Sequence, residues 1–264
     1  MAFAEIYGQR IFYTDSGGDG PAVIFSHGFL MDHSMFDPQV AALEPEFRVI
    51  TWDSRGFGAT EFDEKPFTYW DSAGDALALC DYLGIECAVF AGMSQGGFLS
   101  LRAAMIAPER VRALVLIDTQ AGAEHPDKVE LYGDMIEAWV NVGPGDELAN
   151  IVAGIIIDDP VENPRWIARW QSGRHELVRE AGVALLERES VVERLGEITC
   201  PALVIHGDND SAIELDKAEV MSAALPGSAG VVVIEGAAHA ANLTHPEPVN
   251  AAILPFLRGL SAAP

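Results

Sequence analysis

Gly92-Met93-Ser94-Gln95-Gly96 follows the apolar run Ala88-Val89-Phe90-Ala91 and precedes a helix-like stretch from about 97 to 107. A serine bracketed by glycines where a strand gives way to a helix is a nucleophile elbow in sequence form. The turn is tight enough to hold the serine backbone in a sparsely populated region, at roughly 1–3 kcal/mol. A Cβ at Gly92 or Gly96 would crowd the neighbouring strand and helix. The Ser94 hydroxyl then stands above a sheet at a helix N-terminus, where the dipole favours developing negative charge. Gly-x-Ser-x-Gly also arises by chance, so its weight comes from what accompanies it.

Three further stretches accompany it in the right order. Ser26-His27-Gly28-Phe29 follows the strand-like Ala22-Val23-Ile24-Phe25. An acyl-transfer site needs two backbone donors for its oxyanion: the N–H after the nucleophile, here Gln95, and one from a loop after an early strand, here Phe29. Losing one such donor typically costs about 3–4 kcal/mol of transition-state stabilisation. His27 reads as the anchor of that loop rather than a catalytic group. Ala202-Leu203-Val204-Ile205-His206-Gly207-Asp208-Asn209-Asp210 carries a buried strand into a turn with two acids. Catalytic groups of open α/β sheets gather at the carboxyl ends of strands. Either acid can orient a histidine; Asp210 is the choice, with Asp208 bonding the turn's own backbone. Gly236-Ala237-Ala238-His239-Ala240-Ala241-Asn242 follows the strand-like Val231-Val232-Val233-Ile234, and small residues on both sides leave His239 free to approach other groups. His245 beside Pro246 reads as a surface or cap residue at the start of the last helix.

The order Ser94, Asp210, His239 makes the chain resemble α/β-hydrolase-fold enzymes. The matching pieces are His27-Gly28-Phe29, Asp53-Ser54-Arg55-Gly56-Phe57-Gly58, the elbow, Gly207 through Asp210, and Gly236 through His239. They span nearly the whole chain apart from its middle. The resemblance implies Ser94 as nucleophile, His239 as base, Asp210 as orienting acid, and Phe29 and Gln95 as oxyanion donors. It also places the acid two residues after Asp208, in favour of Asp210. Relatives that open epoxides or remove halides carry aspartate at the elbow, so Ser94 disfavours those chemistries. Many members have Met or Gly where this chain has Gln95.

The composition bounds the reading. A chain of 264 residues is most simply one domain with an insertion. No run of 18 or more apolar residues predicts a membrane span, and the first residues lack the pattern of a signal peptide, so a cytoplasmic location is the expectation. Cys80, Cys87 and Cys200 show neither a disulfide framework nor zinc spacing, and read as buried, inert thiols. Forty acidic residues against 16 basic give a net charge of −24. That field argues against nucleic acid and anionic membranes as partners and makes a neutral ester an easier guest than an anionic one.

Residues 3–7 and 10–14 alternate around Gly8-Gln9 as an opening hairpin. Short apolar runs at 22–25, 49–52, 88–91, 114–117, 203–206 and 231–234 read as strands buried on both faces. Helical periodicity runs over about 69–83, 95–107, 216–225 and 248–257. The fold class is therefore α/β, a mostly parallel central sheet flanked by helices. Residues 1–121 and 199–264 form its core. Residues 122–198 break the rhythm with helix-like pieces at 128–140, 147–156, 163–174 and 177–194, and resemble the family's helical cap, which would exclude water from above Ser94. Trp139, Trp166 and Trp170 lie in this insert, and Trp166 and Trp170 share a helix face. Either they pack insert onto core, or they wall an apolar substrate pocket with Leu30 and Met93. Arg165, Arg169 and Arg174 read as a solvated face, with a bidentate grip on a substrate carboxylate as the rival. Arg55 reads as paired within its turn or near Asp53.

The reading is acyl transfer to water through an acyl-serine, on a small-molecule ester or lactone. No metal or organic cofactor is required, and a homodimer is an open assembly state. The stretch from His239 to Glu247, with the run from His27 through Met31 to Phe36, is similar to enol-lactone hydrolases of aromatic degradation (3-oxoadipate enol-lactonase-like). Carbon–carbon bond hydrolases and cofactor-free perhydrolases share the triad. A small-molecule receptor of the same fold is the rival from another class, against which the intact triad argues.

Overall fold

Near-continuous apolar runs become the strands of one sheet. The structure, a computed structural model, describes residues 2–261. Its strands are β1 (Ala2–Ile6), β2 (Gln9–Asp15), β3 (Ala22–Ser26), β4 (Arg48–Trp52), β5 (Ala88–Met93), β6 (Val111–Ile117), β7 (Ala202–Gly207) and β8 (Ser228–Ile234). They lie in the order β1-β2-β4-β3-β5-β6-β7-β8. β1, β2 and β4 pair antiparallel, and every pairing from β4 to β8 is parallel. The opening hairpin turns at Tyr7 and Gly8, both with positive φ (50° and 81°), one residue earlier than the alternation predicts. Two successive residues of that kind match the right-handed twist of the flanking strands.

The helices are α1 (Asp37–Leu43), α2 (Tyr69–Tyr82), α3 (Gln95–Ile106), α4 (Pro126–Val142), α5 (Asp146–Ile156), α6 (Glu162–Ser172), α7 (Arg179–Leu186), α8 (Leu215–Ala224), α9 (Ala241–Thr244) and α10 (Pro246–Ser261). Alternation along each strand splits the interior in two. Val23, Phe25, Val89 and Ala91 face a core shared with Leu43 of α1, Ile253 of α10 and the insert. Ile24, Ile50 and Phe90 face the other, with Leu79 of α2, Leu99 of α3 and Met221 of α8. Full burial of one such side chain contributes roughly 1.5–3 kcal/mol. The sheet is therefore sandwiched, and its carboxyl edge is left to loops.

Helices α4–α7 are inserted between β6 and β7. The last predicted piece, 177–194, is not one helix. It runs as a 3-10 turn over His175–Val178, then α7, then a second 3-10 turn over Val192–Glu197. The break follows from the chain's return to the core: Arg188 turns inward onto Glu124 at 3.1 Å, and the Val191 N–H donates to the Ala121 carbonyl at 2.8 Å. β8 also differs from expectation. It is an edge strand of the sheet, and Val232 and Val233 on it are exposed. Cys87 is exposed and Cys200 half-buried, so only Cys80 is a buried thiol. Arg55 pairs with neither its turn nor Asp53. It reaches α2 and grips Asp75 through two hydrogen bonds of 2.6 and 2.8 Å. Among the described residues, no helix is long and apolar enough to cross a membrane.

Candidate active site

Ser94 sits between β5 and α3 with φ 51° and ψ −116°. A non-glycine residue there is strained by roughly 1–3 kcal/mol, and its surroundings hold it in place. The Ser94 N–H donates to the Ile117 carbonyl at 3.0 Å, and the Thr119 hydroxyl donates to the Ser94 carbonyl at 2.7 Å. The glycines are a matter of space. A Cβ on Gly92 would overlap the Gly96 backbone, and one on Gly96 would overlap the Ser26 carbonyl of β3.

The other two residues arrive on separate loops. Asp210 follows β7 and His239 follows β8. Their side chains meet at 2.7 Å, His239 Nδ1 to Asp210 Oδ2, both buried. A carboxylate only accepts, so Nδ1 carries the proton and Nε2 is bare in the neutral ring. The other Asp210 oxygen accepts from the Ala212 and Ile213 N–H groups, each at 2.9 Å. Burial pushes the Asp210 carboxyl up, but the facing His239 and the hydrogen bonds from His206, His239 and Ile213 outweigh it and hold it well below the usual carboxylate range. Ser94 and His239 line one cavity of about 810 Å³, its open mouth included. No Ser94–His239 hydrogen bond forms among the described residues; such bonds commonly tighten only in the substrate complex.

The predicted loop anchor does what its position implies. His27 accepts from the Ser54 N–H through Nε2 at 3.0 Å and donates from Nδ1 to the Gly28 carbonyl at 2.8 Å, while burial pushes its pKa down. Next to it the backbone N–H groups of Phe29 and Gln95 have no hydrogen-bond partner within the described residues. Leu30 follows at φ 61°, its carbonyl accepting from Trp170 Nε1 of the insert at 2.7 Å. Asp208, expected to cap its own turn, instead accepts from Gly236 N–H at 2.7 Å and so ties the acid loop to the histidine loop.

Two buried groups beside the pair escaped the sequence reading. Asp118 directly follows β6 with φ 46° and accepts from the Gly207 and Ala241 N–H groups at 2.8 and 2.9 Å. It clamps the acid strand to the loop after His239. Burial pushes its carboxyl up to about 7, against the pull of His206. His206 Nε2 lies 2.9 Å from the Ile213 carbonyl and 3.3 Å from Asp210 Oδ2. The one available signal was an acid directly after a parallel strand, at the edge where such sites form.

Of the predicted pocket residues, Leu30, Met93 and Trp139 line the cavity with Ser94. Trp166 does not; it lines a second cavity across the wall of Leu30, Trp139 and Val178. Trp170 packs edge-on against Trp139 at 5.5 Å, which places the stacked indoles in the wall. None of Arg165, Arg169 and Arg174 lines the cavity with Ser94. Arg165 pairs with Glu162 at 2.6 Å, Arg169 with Asp32 at 2.6 Å, and Arg174 donates to the Gly58 and Thr60 carbonyls. The spacing of the sequence missed Glu124, Tyr132, Met135, Ile155 and Ile156, which also line the cavity.

Two triads of side chains could hold a metal ion: Asp32, His33 and Asp53, and Asp118, His206 and Asp210. In both, N–H groups of the protein already occupy the carboxylates: His33 and Ala59 for Asp53, and Gly207, Ala241 and Ile213 for the second set.

Residues 21–246 match the family model described as the alpha/beta hydrolase fold. The chain belongs to this family. It is 27% identical over 244 residues to 3-oxoadipate enol-lactonase 1 of Acinetobacter baylyi, covering 87% of this chain and 85% of that one. A thermophilic esterase from Thermogutta terrifontis superposes with a TM-score of 0.88 at 29% identity, over 98% of this chain and 97% of the other. The enol-lactonase of Burkholderia xenovorans gives the same TM-score at 27% identity, over 97% and 99%. This α/β hydrolase thus resembles both esterases and lactonases in sequence and architecture.

Proposed function

We propose that the chain is a serine hydrolase that cleaves a small carboxylic ester or lactone through an acyl-serine. One observation carries the reading: a strained serine and a carboxylate-held imidazole, from loops 145 residues apart in sequence (239 less 94), open into one largely apolar cavity. His239 Nε2 takes the Ser94 proton as Oγ attacks the carbonyl, and Asp210 fixes the tautomer and stabilises the imidazolium. The Phe29 and Gln95 N–H groups receive the oxyanion. His239 then protonates the leaving alcohol and activates the water that releases the acid. The insert serves as a cap that keeps bulk water from the acyl-enzyme.

The enol-lactonase relatives favour a second reading, hydrolysis of a doubly anionic enol-lactone. The cavity speaks against it: among the described residues no Arg or Lys lines it. The test is Ser94→Ala on p-nitrophenyl butyrate. Turnover falls by roughly 10³-fold or more, by analogy with triad knockouts. A fluorophosphonate labels Ser94 in the wild type only. Wild-type turnover in the variant rejects the mechanism.

A further inference from the structure

The cavity beside Ser94 is apolar except at one end. Beyond Ser94 and His239, its polar side chains are Glu124 and Tyr132, which flank the start of α4. Their situations differ. Glu124 is engaged: Arg188 donates to one carboxylate oxygen at 3.1 Å, and the His125 N–H donates to the other at 3.1 Å. Arg188 is itself used up. Its side chain is 1% exposed, donates to the Gly122 and Leu185 carbonyls, and lies over the Phe98 ring at 4.4 Å. Its charge is unavailable to a ligand. The Tyr132 hydroxyl, by contrast, is half-buried and forms no hydrogen bond with any described residue; it shares the lining with Glu124 and feels the negative charge of Asp210 and Glu214.

The Tyr132 oxygen is open to the cavity, so its O–H is free to donate to a guest held there. It stays protonated at neutral pH, since burial pushes it up to about 12, and it is therefore a donor. An anionic guest would find no Arg or Lys in the lining and the carboxylate of Glu124 beside the hydroxyl. We infer that Tyr132 is a specificity-determining residue, and that the substrate is a neutral ester or lactone whose apolar chain carries one uncharged oxygen acceptor, a ketone, ether, hydroxyl or amide oxygen, set away from the scissile carbonyl. Met135, Ile155 and Ile156 pack the chain, and Tyr132 donates to its oxygen. The inference rests on the serine-hydrolase reading of the same cavity and narrows its substrate.

The experiment compares p-nitrophenyl heptanoate with its mono-oxo analogues, the ketone moved one carbon at a time, and with the mono-p-nitrophenyl ester of adipic acid. Wild type prefers one ketone position over heptanoate by about fivefold to tenfold in kcat/KM, the worth of one neutral hydrogen bond. In Tyr132→Phe that preference shrinks to within about twofold, carried by KM because the contact is made in ground and transition states alike. The adipate ester is the poorest substrate of the series. No preferred ketone, a preference that survives in Tyr132→Phe, or selection of the adipate ester overturns the inference. Ser94→Ala assayed on the same esters separates the two failures: retained turnover there strikes the mechanism, whatever Tyr132 does.

Discussion

Two aspartate–histidine pairs stand on opposite sides of the wall formed by Leu30, Trp139 and Val178. His239, held by Asp210 at 2.7 Å, lines one cavity, and Asp53 and His33, 2.7 Å apart, line the other. In each the carboxylate is buried and also accepts backbone N–H groups. Only the first faces a strained serine hydroxyl and two unpartnered N–H donors. The second faces Arg169 and Asp32, already paired with each other. The pair is thus a common structural clamp, and a third group decides whether it serves chemistry. A cluster of titratable side chains with short distances marks a catalytic site only where something reactive is left unsatisfied beside it.

The comparison can be broken first at Asp210. Asp210→Asn lowers kcat on p-nitrophenyl esters by roughly 10³–10⁴-fold, since the wrong tautomer is then favoured, as in other triads. Its melting temperature moves far less than its rate, and a loss under tenfold would make the two pairs alike. Asp53→Asn runs the other way. It leaves the Ala59 and His33 contacts half-satisfied and destabilises the chain by about 1–3 kcal/mol, read as a shifted denaturation midpoint. Turnover per folded molecule stays within about threefold, because nothing at Asp53 touches the reacting atoms.

The smallest effect is in the pH dependence of stability. Burial pushes His33 down, but the Asp53 hydrogen bond and charge outweigh it and raise its pKa. Burial pushes Asp53 up, and the same partner, with Ala59, draws it below its usual range. A raised histidine stabilises the fold in full below its ordinary value near 6.5 and loses that contribution as pH climbs through the raised one. A lowered aspartate contributes above about 3.9 and fails as pH drops through the lowered value. The melting-temperature gap between wild type and Asp53→Asn is therefore widest between about pH 4 and 6.5. It narrows by about 2–4 °C above that range. A gap that does not change with pH would show that His33 is neutral in the fold.

How legible the sequence was followed from what each residue needs. Strands β3 to β7 were readable because helices cover both faces and the run must be apolar throughout; β8, uncovered at its edge, carries the same Val-rich sequence without the burial. The positions of Ser94, Asp210 and His239 were readable because each is fixed by its immediate neighbours: two glycines, a strand end, a loop of small residues. The lining was not. Tyr132, Met135, Ile155 and Ile156 obey the same helical period as residues that pack the core, and only the docking of α4 and α5 over the sheet selects the side chains that face Ser94. Trp166 shows the same limit in reverse: it shares a face with Trp170, and both open into the second cavity rather than the one beside Ser94. Partners distant in sequence, such as Asp75 for Arg55, left no local trace.

The indole of Trp170 fastens the carbonyl of Leu30, next door to the Phe29 amide. The helical insert and the loop beside Ser94 are therefore tied together. Anyone who grafts a foreign helical segment between β6 and β7 to change what the enzyme accepts inherits a second task. The graft must supply a donor at that spot, or the loop beside Ser94 loses its setting and turnover falls on every substrate alike.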